Sequence, residues 1–232
     1  MANVFEERRA LIGGLGMVAA AGALAKPALA KPATGAAPWS PTPEAADAWL
    51  DKPGTRHRLA FDTTSAAAAE SAMFYANTYY TANKSGYALP PEALGVVIVL
   101  RHLSTPFGFN DTIWAKYGAA IADMLKLEGE EAIRAAQMNP LLSVKPDAKK
   151  KPGDDEPVTL ATLAAKGAQF AVCGVATNGM SEMMAKKSGT SASAVEADLK
   201  ANLIPGATLA AAGIVAVNRA QEHGYAFVTV TD

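Results

Sequence analysis

Short apolar runs alternate with longer helical patterns over most of the chain. The clearest run is residues 94–100 (Leu-Gly-Val-Val-Ile-Val-Leu), which is typical of a strand buried on both faces of a parallel sheet. Residues 57–61, 168–173, 207–211 and 225–230 predict further strands. This alternation with short turns predicts an α/β fold, namely a single three-layer α/β/α domain with a mostly parallel sheet.

The segments between the strands predict helices. The first follows Thr63-Thr64-Ser65, which can cap it, and runs to about Asn83. The second runs from Asp111 to about Leu127 behind a cap at Asn110-Asp111, and residues 128–138 add a separate turn or two. Shorter helical patterns lie at 159–166, after residue 173, near residue 193 and at 213–223.

The first predicted helix carries a set of aromatic residues: Phe74, Tyr75, Tyr79 and Tyr80. These residues fall mostly on one face of a helix with 3.6 residues per turn. Such a stripe is more typical of core packing than of a cofactor site. We therefore expect it to face the sheet.

Residues 1–30 have the pattern of a cleavable export signal. Arg8-Arg9 supply the positive end, a weakly apolar Ala- and Gly-rich stretch follows, and Ala28-Leu29-Ala30 matches a small-x-small cleavage site. The apolar run is shorter than the roughly 20 residues needed to span a bilayer. The arginine pair favours the twin-arginine pathway over general secretion. We expect a periplasmic protein cleaved near Ala30, with no stable membrane anchor.

Residues 31–56 predict a proline-rich arm followed by a short helix. Thr42 would be its N-cap and Pro43 its first helical residue. The helix would carry Trp49 and Leu50, which we expect to dock on the main domain. That domain, the α/β fold, would then cover residues 57–232.

Composition narrows the possible functions. The 232 residues are 50% hydrophobic and 19% charged, with a formal net charge of −1, so nothing favours nucleic acid or an anionic membrane as a partner. Residues 143–157 are charged and rich in proline, which predicts an exposed insertion in the domain. No GxGxxG, P-loop or GxSxG motif is present, and we expect no cofactor.

Cys173 is the leading candidate for chemistry. It is the single cysteine, which excludes an intramolecular disulfide and a Cys-based metal site within one chain. It lies at the end of a predicted buried strand and before a helical segment. Ligands bind at that edge of open parallel sheets, and a helix N-terminus favours a thiolate. The alternative is that Cys173 is a small buried hydrophobic residue.

Arg101 and His102 directly follow the strand 94–100. If this strand and the one ending at Cys173 are parallel, all three residues lie at the same edge of the sheet. Arg101 could then bind an anion, with His102 beside it; the alternative for His102 is a structural strand-end histidine. The three histidines lack the spacing of a metal-binding helix, so no metal site is expected; they are His57, His102 and His223.

Several stretches of the chain resemble the DsrE/DsrF-like family, which consists of small α/β proteins linked to sulfur oxidation and sulfur relay. The resemblance covers roughly residues 57–230 without the insertion. Its most specific part comprises the matches between Ala165 and Ala226. The matching stretches are His57–Asp62, the strand leading to Arg101-His102, Ala165-Lys166-Gly167, Phe170–Gly174, Leu203–Gly206, Gly213 and His223–Ala226.

The resemblance implies a parallel sheet flanked by helices and a homo-oligomer. It also implies a sulfur-carrier or sulfurtransferase-like protein that holds a persulfide on Cys173, and the signal pattern in residues 1–30 predicts that this protein is exported, whereas the relay proteins of the family work in the cytoplasm. Arg101 and His102 would orient a small sulfur-containing anion, and a sulfur-relay protein would be the partner. Two alternatives remain open at this stage. One is a non-catalytic module that binds a small anion or a partner, and the other is a redox or metal protein that pairs Cys173 with a histidine.

Overall fold

Five strands and seven α-helices alternate along the part of the chain that the structure, a computed structural model, describes, namely residues 39–143 and 157–231. The predicted export signal and almost all of the predicted insertion at 143–157 lie outside these residues. The described residues from Pro41 onward belong to one compact unit.

The strands form one sheet in the order β4-β3-β2-β1-β5, and all four neighbouring pairs are parallel. The α/β fold with a parallel sheet is therefore confirmed. Every residue of β2 is buried, as its continuous apolar run predicts for the central strand. The strands are β1 (His57–Thr63), β2 (Leu94–Leu100), β3 (Gln169–Cys173), β4 (Ala207–Ala210) and β5 (Ala226–Thr229).

The first two α-helices begin at the predicted capping residues. Ser65 accepts a hydrogen bond from the Ala68 N–H, and Asn110 accepts one from the Thr112 N–H. Among the described residues, no helix is long and apolar enough to cross a membrane. The α-helices are α1 (Ala66–Tyr87), α2 (Asp111–Leu125), α3 (Gly129–Ala135), α4 (Leu160–Ala165), α5 (Gly174–Ser188), α6 (Ala192–Ala201) and α7 (Gly213–Glu222), and 3₁₀ helices lie at Ala45–Leu50, Pro91–Ala93 and His102–Gly108.

The two faces of the sheet carry different helices. Helices α1, α2, α4, α5 and α6 contribute buried residues to a large apolar core on one face. Helix α7 covers the other face together with Leu50, which is fully buried there. The Tyr225 hydroxyl donates a hydrogen bond to the Leu50 carbonyl at 3.0 Å, and Trp49 packs against the same cluster. The predicted docking of this segment is confirmed.

The start of that segment differs from the prediction. It is a 3₁₀ helix over Ala45–Leu50 with Glu44 at the N-cap, so neither Thr42 nor Pro43 has the predicted role. The physical reason is visible in the backbone. The Asp47 N–H bonds to the Glu44 carbonyl three residues back, a spacing that makes a tighter helix than the α form.

The aromatic stripe of α1 is only partly in the core, and that prediction was wrong for half of its members. Tyr80 is 4% exposed and Tyr79 is half-buried, but Phe74 is 62% and Tyr75 48% exposed. Small residues explain the difference, because they let the helix lie close on the sheet and take up the buried face themselves. They are Ala68, Ala69, Ala72 and Ala76.

Candidate functional site

The strand register brings Asp62, Arg101 and Cys173 to the carboxyl edge of the sheet. Leu100 in β2 pairs with Val172 in β3, so Arg101 and Cys173 are the next residues on adjacent strands. Side chains alternate between the faces of a sheet. The apolar cluster that α7 covers includes Ala60, Val99 and Ala171. Each of these residues lies two positions before one of the three site residues along the chain. The three side chains therefore share the α7 face.

Asp62 and Arg101 form a two-pronged ion pair. Arg101 Nε donates to Asp62 Oδ1 at 2.6 Å, and Nη2 donates to Oδ2 at 2.8 Å. The Asp62 side chain is 4% exposed and that of Arg101 is 29% exposed. These hydrogen bonds are the main reason that the pKa of Arg101 is raised, and the negative charge of an ionised Cys173 adds to the shift. Arg101 is thus a fixed positive charge within electrostatic reach of the sulfur.

The thiol of Cys173 lies at the N-terminus of α5, where the residue is the N-cap. Its Sγ accepts a hydrogen bond from the Ala176 N–H at 3.4 Å, and the residue is 7% exposed. The buried Thr177 hydroxyl donates to the Cys173 carbonyl at 2.8 Å and fixes the backbone below the sulfur. A cysteine in this position replaces the usual oxygen of an N-cap by a sulfur that faces the positive end of the helix dipole.

The chain leaves β3 and β4 toward opposite faces of the sheet. After β3 it enters α5, which packs in the large core, and after β4 it enters α7 on the other face. The carboxyl ends of adjacent parallel strands that diverge in this way are the usual ligand position in open α/β sheets. Cys173 pairs with Ala210 directly at this divergence.

Two glycines let α5 and α7 approach the ends of these strands closely. A Cβ at Gly174 would lie 2.6 Å from the carbonyl oxygen of Ala210 and 2.9 Å from that of Ala211. A Cβ at Gly213 would lie 2.4 Å from the Arg101 Cβ. Both contacts would be overlaps, so glycine is required for α5 to reach the end of β4 and for α7 to reach Arg101.

His102 directly follows Arg101 after the end of β2. It is exposed and has a φ of 56°, and it begins the 3₁₀ helix that follows β2. The hydroxyl residues after it point inward instead. Ser104 lies within 2.9 Å of the Thr63 carbonyl and Thr105 is fully buried, so both support the loop rather than form part of an anion site.

Sequence reasoning placed Cys173, Arg101 and His102 near one another, and the register does bring their strand ends together. It missed Asp62, whose carboxylate holds Arg101 in place. The signal that could have found it is a charged residue near the end of a buried strand, because buried carboxylates are nearly always paired. The pairing partner itself depends on which strands are neighbours.

The arrangement can attract an anion toward a thiol. Arg101 keeps Nη1 without a hydrogen-bond partner in the described part of the chain, since Asp62 takes Nε and Nη2. The Ala176 N–H supplies a second donor at the sulfur. Within residues 39–143 and 157–231, no group of three or more His, Cys, Asp or Glu side chains is placed to hold a metal ion.

Comparisons with known proteins add no identification. No family model, curated protein or solved structure matches the chain.

Proposed function

We propose that this protein is an exported sulfur carrier that holds a persulfide on Cys173. The observation that carries the proposal is the position of the thiol, which lies where the chain diverges between β3 and β4 and accepts the Ala176 N–H at 3.4 Å. The resemblance to DsrE/DsrF-like proteins and the signal pattern in residues 1–30 support the same function in the periplasm. Export by the twin-arginine pathway is part of the proposal.

The reaction requires one thiol and an anionic sulfur donor. With thiosulfate, the Cys173 thiolate attacks the outer sulfur, the S–S bond of the donor breaks, and its electron pair leaves with sulfite. The product is a persulfide on Cys173, and the total charge is unchanged. A thiolate of a relay partner then attacks the terminal sulfur and takes it, which restores the Cys173 thiolate. No second cysteine of this chain is needed.

Arg101 has the role of attracting and orienting the donor. Asp62 fixes its guanidinium by two hydrogen bonds, so the group needs no reorganisation when an anion arrives. His102 directly follows it, is exposed, and adds a second side-chain contact for an anion. On the other side of the site, the Ala176 N–H at the N-terminus of α5 donates a hydrogen bond to the sulfur that would carry the persulfide.

The experiment separates binding of an anion from reactivity of the thiol. The purified protein is treated with thiosulfate, and the intact mass is measured for an added sulfur atom that a reductant removes. The rate of alkylation by neutral iodoacetamide is measured in parallel. We expect Arg101→Gln to lower loading by thiosulfate roughly tenfold, the loss of about 1.4 kcal/mol, with a much smaller effect on alkylation.

Arg58→Gln is the matched control. Its side chain is similarly exposed, at 26% against 29% for Arg101, but it lies at the start of β1 and contacts the His223 carbonyl. Loading should stay unchanged in this variant, and Cys173→Ser should accept no sulfur. A wild-type protein that takes up no sulfur from thiosulfate or polysulfide would rule out the carrier function.

One observation favours a second candidate, a module that binds a small anion without catalysis. Cys173 is only 7% exposed, which limits the access of a relay partner to its sulfur. In that case Cys173→Ser would still bind an anion such as sulfite with unchanged affinity. Calorimetric titration of the wild type and this variant distinguishes the two functions.

A further inference from the structure

Strand β5 is an unprotected edge of the sheet. All four of its residues are exposed, whereas all four residues of β4, at the opposite edge, are partly buried. Edge strands of monomeric proteins usually carry a charged residue, a proline or a bulge that prevents pairing with another chain. The sequence of β5 is Ala-Phe-Val-Thr and contains none of these residue types.

The apolar surface continues on both faces of this edge. Val228 pairs with Phe61 of β1, so its side chain lies on the face of the sheet that carries the large core. The residue is nevertheless 39% exposed. Phe227 pairs with Ala60, on the face of α7, and is 38% exposed. Parallel sheets are normally covered on both faces, and at β5 this one is open on both.

Helix α1 stops short of covering β5. A groove of about 330 Å³ runs between its Tyr75 side and the β1 residues Leu59 and Phe61. Above it, Phe74 and Tyr75 are exposed and their rings meet edge to face, with centroids 6.1 Å apart. Only two of the 22 residues of α1 are charged, Glu70 and Lys84, and neither lines the groove.

We propose that β5 and the adjacent side of α1 form the interface of a homodimer, in which β5 pairs antiparallel with β5 of a second copy. A two-fold axis makes any edge strand complementary to itself, because its free N–H and C=O groups meet the same groups of the copy in reverse order. The lack of charge on β5 removes the like-charge repulsion that such an axis would otherwise create.

The exposed apolar area of this surface is large enough to contribute to an interface with a second copy of the chain. Phe74, Tyr75, Phe227 and Val228 together expose roughly 350 Å², on the order of half of the ~800 Å² that each partner buries in a standard interface. The backbone of β5 and the uncharged face of α1 supply the remainder. Pairing would give a continuous ten-stranded sheet with α1 of each copy on the same face, and Cys173 would stay outside the interface, since β3 lies on the far side of β2.

Sedimentation equilibrium of the purified full chain tests the proposal. We expect a dimer, and we expect Val228→Glu to weaken it roughly 100-fold, because the carboxylate would be buried against the copy. Val175→Glu is the matched control. Val175 is more exposed, at 65%, but lies on α5, and its variant should dimerise within about twofold of the wild type.

A second variant covers the case in which Val228→Glu does not fold. Val228→Cys in a Cys173→Ser chain should be joined to its copy by a short bis-maleimide, whereas Val175→Cys in the same background should not. A protein that stays monomeric at all concentrations would overturn the proposal, and so would a dimer that forms equally well with Val228→Glu. Neither outcome bears on sulfur loading, which the thiosulfate experiment measures separately.

Discussion

Replacing Gly174 by alanine should disturb the site through the backbone. The new Cβ would lie 2.6 Å from the Ala210 carbonyl oxygen and 2.9 Å from that of Ala211, and neither atom can rotate away as a flexible side chain would. The start of α5 must therefore move. Overpacking of this kind costs about 1–3 kcal/mol of folding free energy, which the usual gain of about 0.5–1 kcal/mol from Gly→Ala in a helix offsets only in part.

Gly179→Ala in the same helix is the matched control, because nothing lies within 4 Å of its added Cβ. Both substitutions carry the helix-propensity gain, so the difference between them isolates the overlap and should be about 1–3 kcal/mol. Urea unfolding midpoints with an unchanged m-value measure it. If Gly174→Ala proves as stable as Gly179→Ala, the close contact between α5 and the end of β4 is not present in solution.

Three substitutions and a change of pH test the packing around the sheet. The buried Tyr80 hydroxyl has no hydrogen-bond partner among the described residues, so Tyr80→Phe should be neutral or stabilising. Tyr225→Phe loses the hydrogen bond to the Leu50 carbonyl and should cost about 1 kcal/mol of folding free energy. Urea unfolding measures both changes in stability. Leu50→Ala should cost about 2–5 kcal/mol in the same assay, because Leu50 is fully buried under α7. Burial raises the pKa of both Tyr80 and Tyr225, so the folded chain holds these phenolic protons more tightly than the unfolded chain. The stability that this difference contributes is fully present below about pH 10 and should be lost as the pH rises above it. A urea midpoint that does not fall between about pH 8 and about pH 11 would contradict this reasoning.

The strands were predictable because burial on both faces of the sheet requires a continuous apolar run in the sequence. β2 was predicted with its observed bounds, since every one of its residues is buried and the apolar run ends directly at Arg101. Helix ends were less well predicted. α1 continues to Tyr87, four residues beyond the predicted end, and the residue that takes the left-handed conformation at its C-cap is Ala88 rather than a glycine.

The site could be predicted only in part, for a physical reason. The strand-end positions of Cys173 and Arg101 follow from local patterns, and parallel strands end at the same edge. The pairing of Arg101 with Asp62 depends on β1 and β2 being neighbours in register, and the two residues are 39 positions apart. The exposure of Phe74 likewise depends on how far α1 extends over the sheet, which helical periodicity alone does not contain.

The position of β5 also dictates an order of assembly during synthesis. β1 through β4 are made in the order in which they stand side by side, but β5 returns to β1, and its Ala226 pairs with Leu59. A nascent chain can therefore build four strands while the outer side of β1, with Phe61, stays open to other chains. This side closes only after α7 has been made, so ribosome-bound and C-terminally shortened chains should be the species that chaperones hold and that aggregate first.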